Sequence, residues 1–390
     1  MRVYIYTLRY NPVSGGGSHR SLEIFIRALA ARGHTPILTT FSSDDNSYGE
    51  KSCEMREENF KGGFITLQRH ISDLMSENAD ADIHHLYGPT VMWAGGMYAQ
   101  KGGTVPVVVS LNNYTPGMGL NRSLPASRGY VLGLLSRARN RIHILKWYLW
   151  EKLVGIRLAR KIGRFYFDSP VIEKRYREFG YFARSSLVIP APMESAPANV
   201  PPAPFQRDAK IFHAVFAGRL IRDKGPDLLV KAALRLPEDI HIHFIGIGNE
   251  GEGLKTFIRD NDLAGRVFLY GWKSMEELFG FYKNADVFVQ PSRWPEPFGR
   301  TAADALGCGT PVIATENTGA AWAAGDAGMT FKKDSVEDLA RCILFFFNNP
   351  NERAGFSKRA LARARIFDAD VVSRQFVTDL ESLVKSFIVS

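Results

Sequence analysis

Along this chain, short runs rich in β-branched and aromatic residues alternate with longer stretches whose apolar positions recur every three or four residues. In the first half the short runs are RVYIYTL, TPILTTF, DIHHLYG, VPVVVSL and GRFYFDS; in the second they are IFHAVFAGRL, HIHFIGIG, RVFLYG, DVFVQPS and TPVIAT. The stretches between them read as helices. SLEIFIRALAARG, for example, sets Leu22, Ile26, Leu29 and Ala30 on one face and stops at Gly33. Such alternation predicts an α/β protein with parallel sheets and crossover helices. Along DIHHLYG it predicts one of His84 and His85 inside and the other outside, as packed or hydrogen-bonded side chains.

Six prolines crowd VIPAPMESAPANVPPAPFQ, a stretch that cannot form a helix interior and pairs poorly in a sheet. It divides the 390 residues into an N-terminal domain (1–190), a linker (191–207) and a C-terminal domain (208–367). Doubly wound sheets bind ligands at the C-terminal ends of their strands. Two of them on a Pro-rich linker are therefore expected to face a central cleft.

Composition narrows the class. At 45% hydrophobic and 23% charged residues, the chain is not a disordered one. Three widely spaced cysteines, with no C-x-x-C, exclude a disulfide framework and a cysteine-rich zinc site and fit a reducing compartment. The charged, alternating N-terminus reads as a strand and not as a secretory leader, and no run of 18 uncharged apolar residues predicts a membrane span. The net charge of +9 is concentrated. Residues 1–200 hold 25 Lys/Arg against 16 Asp/Glu, whereas residues 201–390 hold 24 of each. Residues 128–164 alone carry ten basic side chains and one acid, Glu151.

Three loops could do chemistry. Gly15-Gly16-Gly17 follows the first strand; it either admits an anion to the helix N-terminus or is a structural turn, and it lacks the G-x-G-x-x-G spacing of a dinucleotide site. In VFAGRLIRDKGPDLLVKAA, Arg219 and Lys224 flank the start of a helix whose own dipole is positive there, which suits a diphosphate. In PSRWPEPFGRTAADALGCGTPVIAT, Glu296 lies in a proline-broken loop, and the amides of Phe298, Gly299, Arg300 and Thr301 can form a second anion cradle. Asp304 lies about 6 Å further along that helix. One carboxylate beside the anion and another below it suit a nucleotide sugar, Glu296 on sugar hydroxyls and Asp304 on the ribose.

In order, GRLIRDKG, FIGIGNEG, VFLYGW and PSRWPEPFGRTAADALGCGTPVIAT resemble the motif set of retaining glycosyltransferase family 4, and NPVSGGGSHRSLEIFIRALAARGH extends the likeness to the first half. The resemblance implies the GT-B fold, with two Rossmann-like domains and a C-terminal helix (368–390) that crosses back to the first. It implies transfer of a sugar from a nucleotide-diphosphate sugar, with retained configuration and no metal or cofactor. Arg219 and Lys224 would hold the diphosphate, Gly16 and Gly17 would approach it from the other domain, and Glu296 would hold the sugar. The backbone at Gly271-Trp272 would receive the base, with Gly246 and Gly248 lining that side. Three positions depart from the family pattern. Asp304 stands where Glu is usual, Trp322 where an acid is often found, and Asn112 (or its neighbour Asn113) where His is usual, so a hydroxyl would be positioned there without proton shuttling.

The basic segment mixes its cations with Tyr130, Trp147, Tyr148 and Trp150, and sets Leu145, Leu149, Leu153 and Ile156 in one helical stripe. It reads as a solvated helix packed on its own domain or as a surface that docks to anionic lipid; no nucleic-acid-binding module accompanies it. A glycan or lipid-linked acceptor, and a cytoplasmic protein peripheral on the inner face of the membrane, follow from the second reading. The alternatives are a catalytically degenerate sugar-nucleotide-binding protein and a membrane-surface scaffold.

Overall fold

The computed structural model describes residues 1–11, 17–41, 53–58, 60–115, 118, 145–181, 185–197, 199–206 and 210–389. They form two compact units, Met1–Pro192 with Ala369–Ser390, and Met193–Asp368. Each is built on one all-parallel sheet. The first has strand order β3-β2-β1-β4-β5-β6-β7, from β1 (Arg2–Thr7), β2 (Thr35–Thr40), β3 (Glu54–Glu57), β4 (Ile83–Tyr87), β5 (Val107–Leu111), β6 (Arg164–Phe167) and β7 (Ser186–Val188). The second has order β10-β9-β8-β11-β12-β13, from β8 (Phe212–Ala217), β9 (Ile240–Ile245), β10 (Val267–Leu269), β11 (Val287–Gln290), β12 (Val312–Thr315) and β13 (Gly328–Phe331). The order reverses between β1 and β4 in one sheet and between β8 and β11 in the other. Those are the points at which loops from neighbouring strands diverge and leave a crevice.

The ten strands read from hydrophobic runs are present, and the structure adds β3, β7 and β13, all at sheet edges or next to them. Their sequences (EMRE, SLV, GMTF) carry too little apolar signal to stand out. The expectation for His84 and His85 fails: both are fully buried. β4 lies at the centre of a parallel sheet covered on both faces, so alternation exchanges one interior for another. His85 Nε2 lies 2.8 Å from Ser110 Oγ, and His84 Nδ1 lies 3.4 Å from the Tyr6 hydroxyl.

The Pro-rich segment is not a free linker over 191–207, because its described residues from Met193 belong to the second unit. Met193 donates its amide to Phe367 O at 2.7 Å, Lys283 Nζ bonds Pro197 O at 2.9 Å, and the Phe205 ring stacks on His213 and His243 at 4.3 and 3.9 Å. The helix Ala369–Val389 packs against the Gly17–Ala31 helix of the first unit, with Phe376 against Phe25 at 4.4 Å. Asp379 accepts from both Arg164 and the Tyr166 hydroxyl at 2.7 Å.

Residues 145–159 are helical, with a π turn over Glu151–Gly155. The extra residue in that turn rotates the helix about its axis. Leu145, Leu149 and Leu153 of the expected stripe are therefore exposed, whereas Ile156 is buried. Among the described residues no helix is long and apolar enough to cross a membrane.

Candidate functional site

The loops that follow β8 and β11 rise side by side from the switch point of the second sheet. After β8 the chain passes Arg219, makes a short 3-10 turn over Arg222–Lys224, and enters the helix Pro226–Ala233 through Gly225 at φ +67°. A Cβ on Gly225 would sit 2.0 Å from Pro291 O, so only glycine lets the two loops touch. Arg293 then locks them. Its guanidinium bonds both carboxylate oxygens of Asp227, at 2.5 and 2.8 Å, and Asp334 at 2.6 Å. The amides of Arg293 and Trp294 donate to Asp223 O.

This clamp brings Lys224 to Glu296, Nζ to Oε1 at 2.9 Å. Glu296 is 6% exposed and also accepts from the Ser292 hydroxyl and from Gln290. Burial by itself would raise the Glu296 pKa. The Lys224 ammonium and the hydrogen bonds from Ser292, Lys224 and Gln290 outweigh burial and hold it below the usual glutamate value. The carboxylate is thus ionised at neutral pH. Gln290, at the end of β11, also receives the Thr301 hydroxyl at 3.3 Å, which ties Glu296 to the first turn of the helix Arg300–Gly307. Arg219, from the β8 loop, has no ion-pair partner among the described residues.

The turn into that helix is fixed from behind. Gly299 is left-handed at φ +95°, and Phe298 packs on Trp322 and Phe367 at 5.9 and 5.2 Å. Gly319 donates its amide to Glu296 O at 2.7 Å. Trp322 therefore buttresses the Phe298–Gly299 turn where an acid was expected. The backbone amides of Gly299 and Thr301 make no hydrogen bond among the described residues, and Arg300 opens the helix beside them. Asp304 is buried but does not join the Glu296 network. It lines a cavity of about 280 Å³ with residues 193–196, Phe279, Lys283 and Arg365.

Gly246 and Gly248 answer first to backbone packing. A Cβ on Gly246 would lie 1.9 Å from Gly218 O, and one on Gly248 would lie 2.2 Å from Leu220 O. They let the β9 loop press against the Arg219 loop. Gly246 also donates its amide to Gly271 O at 2.7 Å. That bond leaves Trp272, 70% exposed, next to Ile247, 62% exposed, on the same rim.

In the first unit, Gly17 opens the first helix, and Gly16 lies outside the described residues. Asn112 directly follows β5 and is half-buried. The Asn113 amide oxygen accepts from the Tyr114 N–H at 2.8 Å, and the Tyr176 hydroxyl bonds Asn113 O at 2.8 Å. The Asn113 side-chain oxygen thus helps to hold the turn, next to half-buried Asn112. Sequence reasoning missed Gln290, Ser292, Arg293 and Asp227. All four are polar residues inside the quoted motifs, and only three-dimensional contact distinguishes them from solvated loop residues.

Comparison with known proteins matches this architecture. Residues 15–196 fit the model of Glycosyltransferase Family 4, and residues 203–363 fit that of Glycosyl transferases group 1. A D-inositol 3-phosphate glycosyltransferase of Pseudarthrobacter chlorophenolicus is 33% identical over 167 residues. The phosphatidyl-myo-inositol mannosyltransferase of Mycolicibacterium smegmatis is 30% identical over 159 residues. Each alignment spans 40% of this chain and 40% of the relative. Among solved structures, sucrose-phosphate synthase from Thermosynechococcus elongatus superimposes with a TM-score of 0.76 at 18% identity, over 99% of both chains. The Anabaena protein HepE in complex with UDP does so at 0.73 and 18%, over 98% of this chain and all of that one. With two parallel α/β units and these structural neighbours, the fold is GT-B. Motifs, fold and both halves of the match agree that the chain belongs to the family 4 glycosyltransferases.

Proposed function

We propose that the protein is a retaining glycosyltransferase that moves a sugar from a nucleotide-diphosphate sugar to a hydroxyl of a lipid-linked or cell-surface glycan acceptor. The observation that carries this reading is the ion pair between Lys224 and buried Glu296, on the loops that follow two adjacent strands, with exposed Arg219 earlier in the β8 loop. An ionised carboxylate held against an ammonium marks a boundary between a sugar, whose hydroxyls Glu296 would accept, and a diphosphate, which Lys224, Arg219 and the amides of Gly299 and Thr301 would meet. The backbone at Gly271-Trp272 would receive the base, and Asp304 the ribose. HepE, a neighbour in fold, was solved with UDP and with UDP-glucose, which favours a nucleotide-sugar donor here.

In this reading the acceptor oxygen bonds to the anomeric carbon on the face from which the diphosphate leaves, and the acceptor proton passes to a diphosphate oxygen. Asn112 orients a hydroxyl near the reacting carbon. The cations and the helix N-terminus stabilise the departing charge, the part a metal would otherwise play. A thermal-shift screen with UDP-glucose, UDP-galactose, GDP-mannose and ADP-glucose is expected to raise the melting temperature with one donor. Nucleoside diphosphate release from that donor should persist in EDTA. Candidate acceptors for the assay are inositol 3-phosphate and phosphatidylinositol vesicles, chosen because relatives are named for them. No shift and no release with any donor would sink the proposal.

The same reading places the protein in the cytoplasm, peripheral on an anionic membrane. Its support is the face of residues 145–161, where exposed Leu145, Leu149, Leu153 and Val154 adjoin exposed Arg157, Arg160 and Lys161. Vesicles with phosphatidylglycerol should sediment the protein and pure phosphatidylcholine vesicles should not. Leu149→Asp with Leu153→Asp is expected to cut the bound fraction at least tenfold; an unchanged fraction would remove the membrane from the proposal.

A further inference from the structure

The helix over residues 145–159 has a second, inward face, and there lies Glu151, fully buried at the start of the π turn. Leaving a carboxyl in an interior costs several kcal/mol unless neighbours satisfy it, and an apolar residue would fill the space at less cost. Glu151 accepts from the Thr115 hydroxyl and, at 2.7 Å, from the Tyr181 hydroxyl. Burial and the adjoining carboxyl push the Tyr181 phenol well above its usual pKa, so it remains a donor.

These partners lead to the loop after β5. Thr115 closes that loop, its carbonyl accepting from the Met118 amide at 3.2 Å. Tyr176, fully buried, bonds Asn113 O. The backbone on both sides of Asn112 is therefore held: on one side by β5, on the other by hydroxyls that converge on or beside Glu151. The helix in turn cannot drift, because a Cβ on Gly96 would meet Leu158 O at 2.3 Å and one on Gly155 would meet Trp93 Nε1 at 2.6 Å. The contact is too close for the helix to slide.

We propose that Glu151 is a positioning residue: through Thr115 and Tyr181 it fixes the loop that presents Asn112, so that the helix with the exposed apolar and basic face and the acceptor-side loop form one mechanical piece. The inference rests on the reading above in which Asn112 faces the reacting sugar. Nothing in the sequence motifs marks Glu151, which is the single acid of the basic segment. The π turn supplies the reason for its placement, since the inserted residue swings position 151 inward while position 153 stays outside.

The test compares Glu151→Gln, Thr115→Val, Thr115→Ser and Asn112→Ala with wild type. Hydrogen–deuterium exchange of the peptide over 112–118 should quicken in Glu151→Gln and Thr115→Val, with exchange over 212–233 unchanged. Nucleoside diphosphate release from the donor selected by thermal shift should fall about tenfold in kcat, with KM for the donor within twofold. Thr115→Ser, which keeps the hydroxyl, should return to the wild-type rate. The double variant Glu151→Gln with Thr115→Val should be no slower than either single one. Thr115→Val carries the test if Glu151→Gln fails to fold. An unaltered 112–118 exchange overturns the inference whatever the activity. A slow Asn112→Ala beside full-speed Glu151→Gln and Thr115→Val overturns it while sparing the site reading. Full speed in all three removes the assigned role of Asn112 as well.

Discussion

Glu296→Ala is expected to slow sugar transfer about a thousandfold or more while changing nucleotide affinity by less than about threefold. In the proposed reading the side chain bears on the sugar and not on the base. It sits on the Lys224 side of the β11 loop, and the Trp272 rim belongs to the β9 and β10 loops. Its ionised state is built in, because Lys224, Ser292 and Gln290 all favour the charged form against burial. Glu296→Gln isolates the charge, since an amide of the same shape can still bond Ser292. That variant should recover less than a tenth of the lost rate if charge is what matters. Thermal unfolding supplies the control, as each variant must melt near wild type for the rate to be read. Wild type and Glu296→Ala equally inert with every donor would instead describe a sugar-nucleotide-binding protein without transfer activity.

Below neutral pH, the first unit should lose stability steeply. Burial lowers His84 to about 4 and His85 to about 3 from the ordinary value of 6.5. Above pH 6.5 both are neutral folded or unfolded, so their contribution is fully present. As pH falls, the unfolded chain takes up two protons that the folded chain refuses until pH 4 or lower. Each such group costs about 1.4 kcal/mol per pH unit, so the pair removes on the order of 5 kcal/mol between pH 6.5 and 4.5. That is comparable with the whole stability of a typical domain. The second unit has its own version in His243, lowered to about 2 by burial first and then by His213 and His241. Urea unfolding at pH 7.5, 6.5, 5.5 and 4.5 measures the slope. His85→Gln, which can still bond Ser110, should flatten it by about one proton; the same slope in that variant would show that His85 is not the acid-labile group.

Those two histidines also show where one-dimensional reading stops. Period-two alternation reports which residues share a face of a strand, and it identified β4 correctly. It cannot report that both faces are covered, which depends on β1 and β5 flanking β4 and on helices above and below. The long buried strands and the two loops that carry Lys224 and Glu296 were legible because each leaves a dense local signature in the sequence. β3, β7 and β13 were not, since their place at the rim of a sheet asks for little apolar character. Within the site, Lys224 and Glu296 were legible as residue types, but their contact depends on Arg293 gripping Asp227 across 66 residues of sequence. Asp304 shows another limit. Its distance along the helix was legible, but not that it lines a cavity beside the Pro-rich segment.

The helix Ala369–Val389 has a consequence for how the chain is made. Val372, Phe376, Val377 and Leu380 are fully buried in the core that also holds Val3, Ile5 and Leu29. A ribosome delivers Val3, Ile5 and Leu29 long before Val372 and Phe376. The second unit is one continuous stretch and can close once its helix Val336–Asn348 has emerged, whereas the first waits with an open apolar face until Ala369–Val389 appears. The part of the molecule begun first is finished last. Ending translation near residue 368 would leave a folded second unit attached to a first unit that exposes Phe25 and Ile26, a species for chaperones and proteases and not a smaller enzyme.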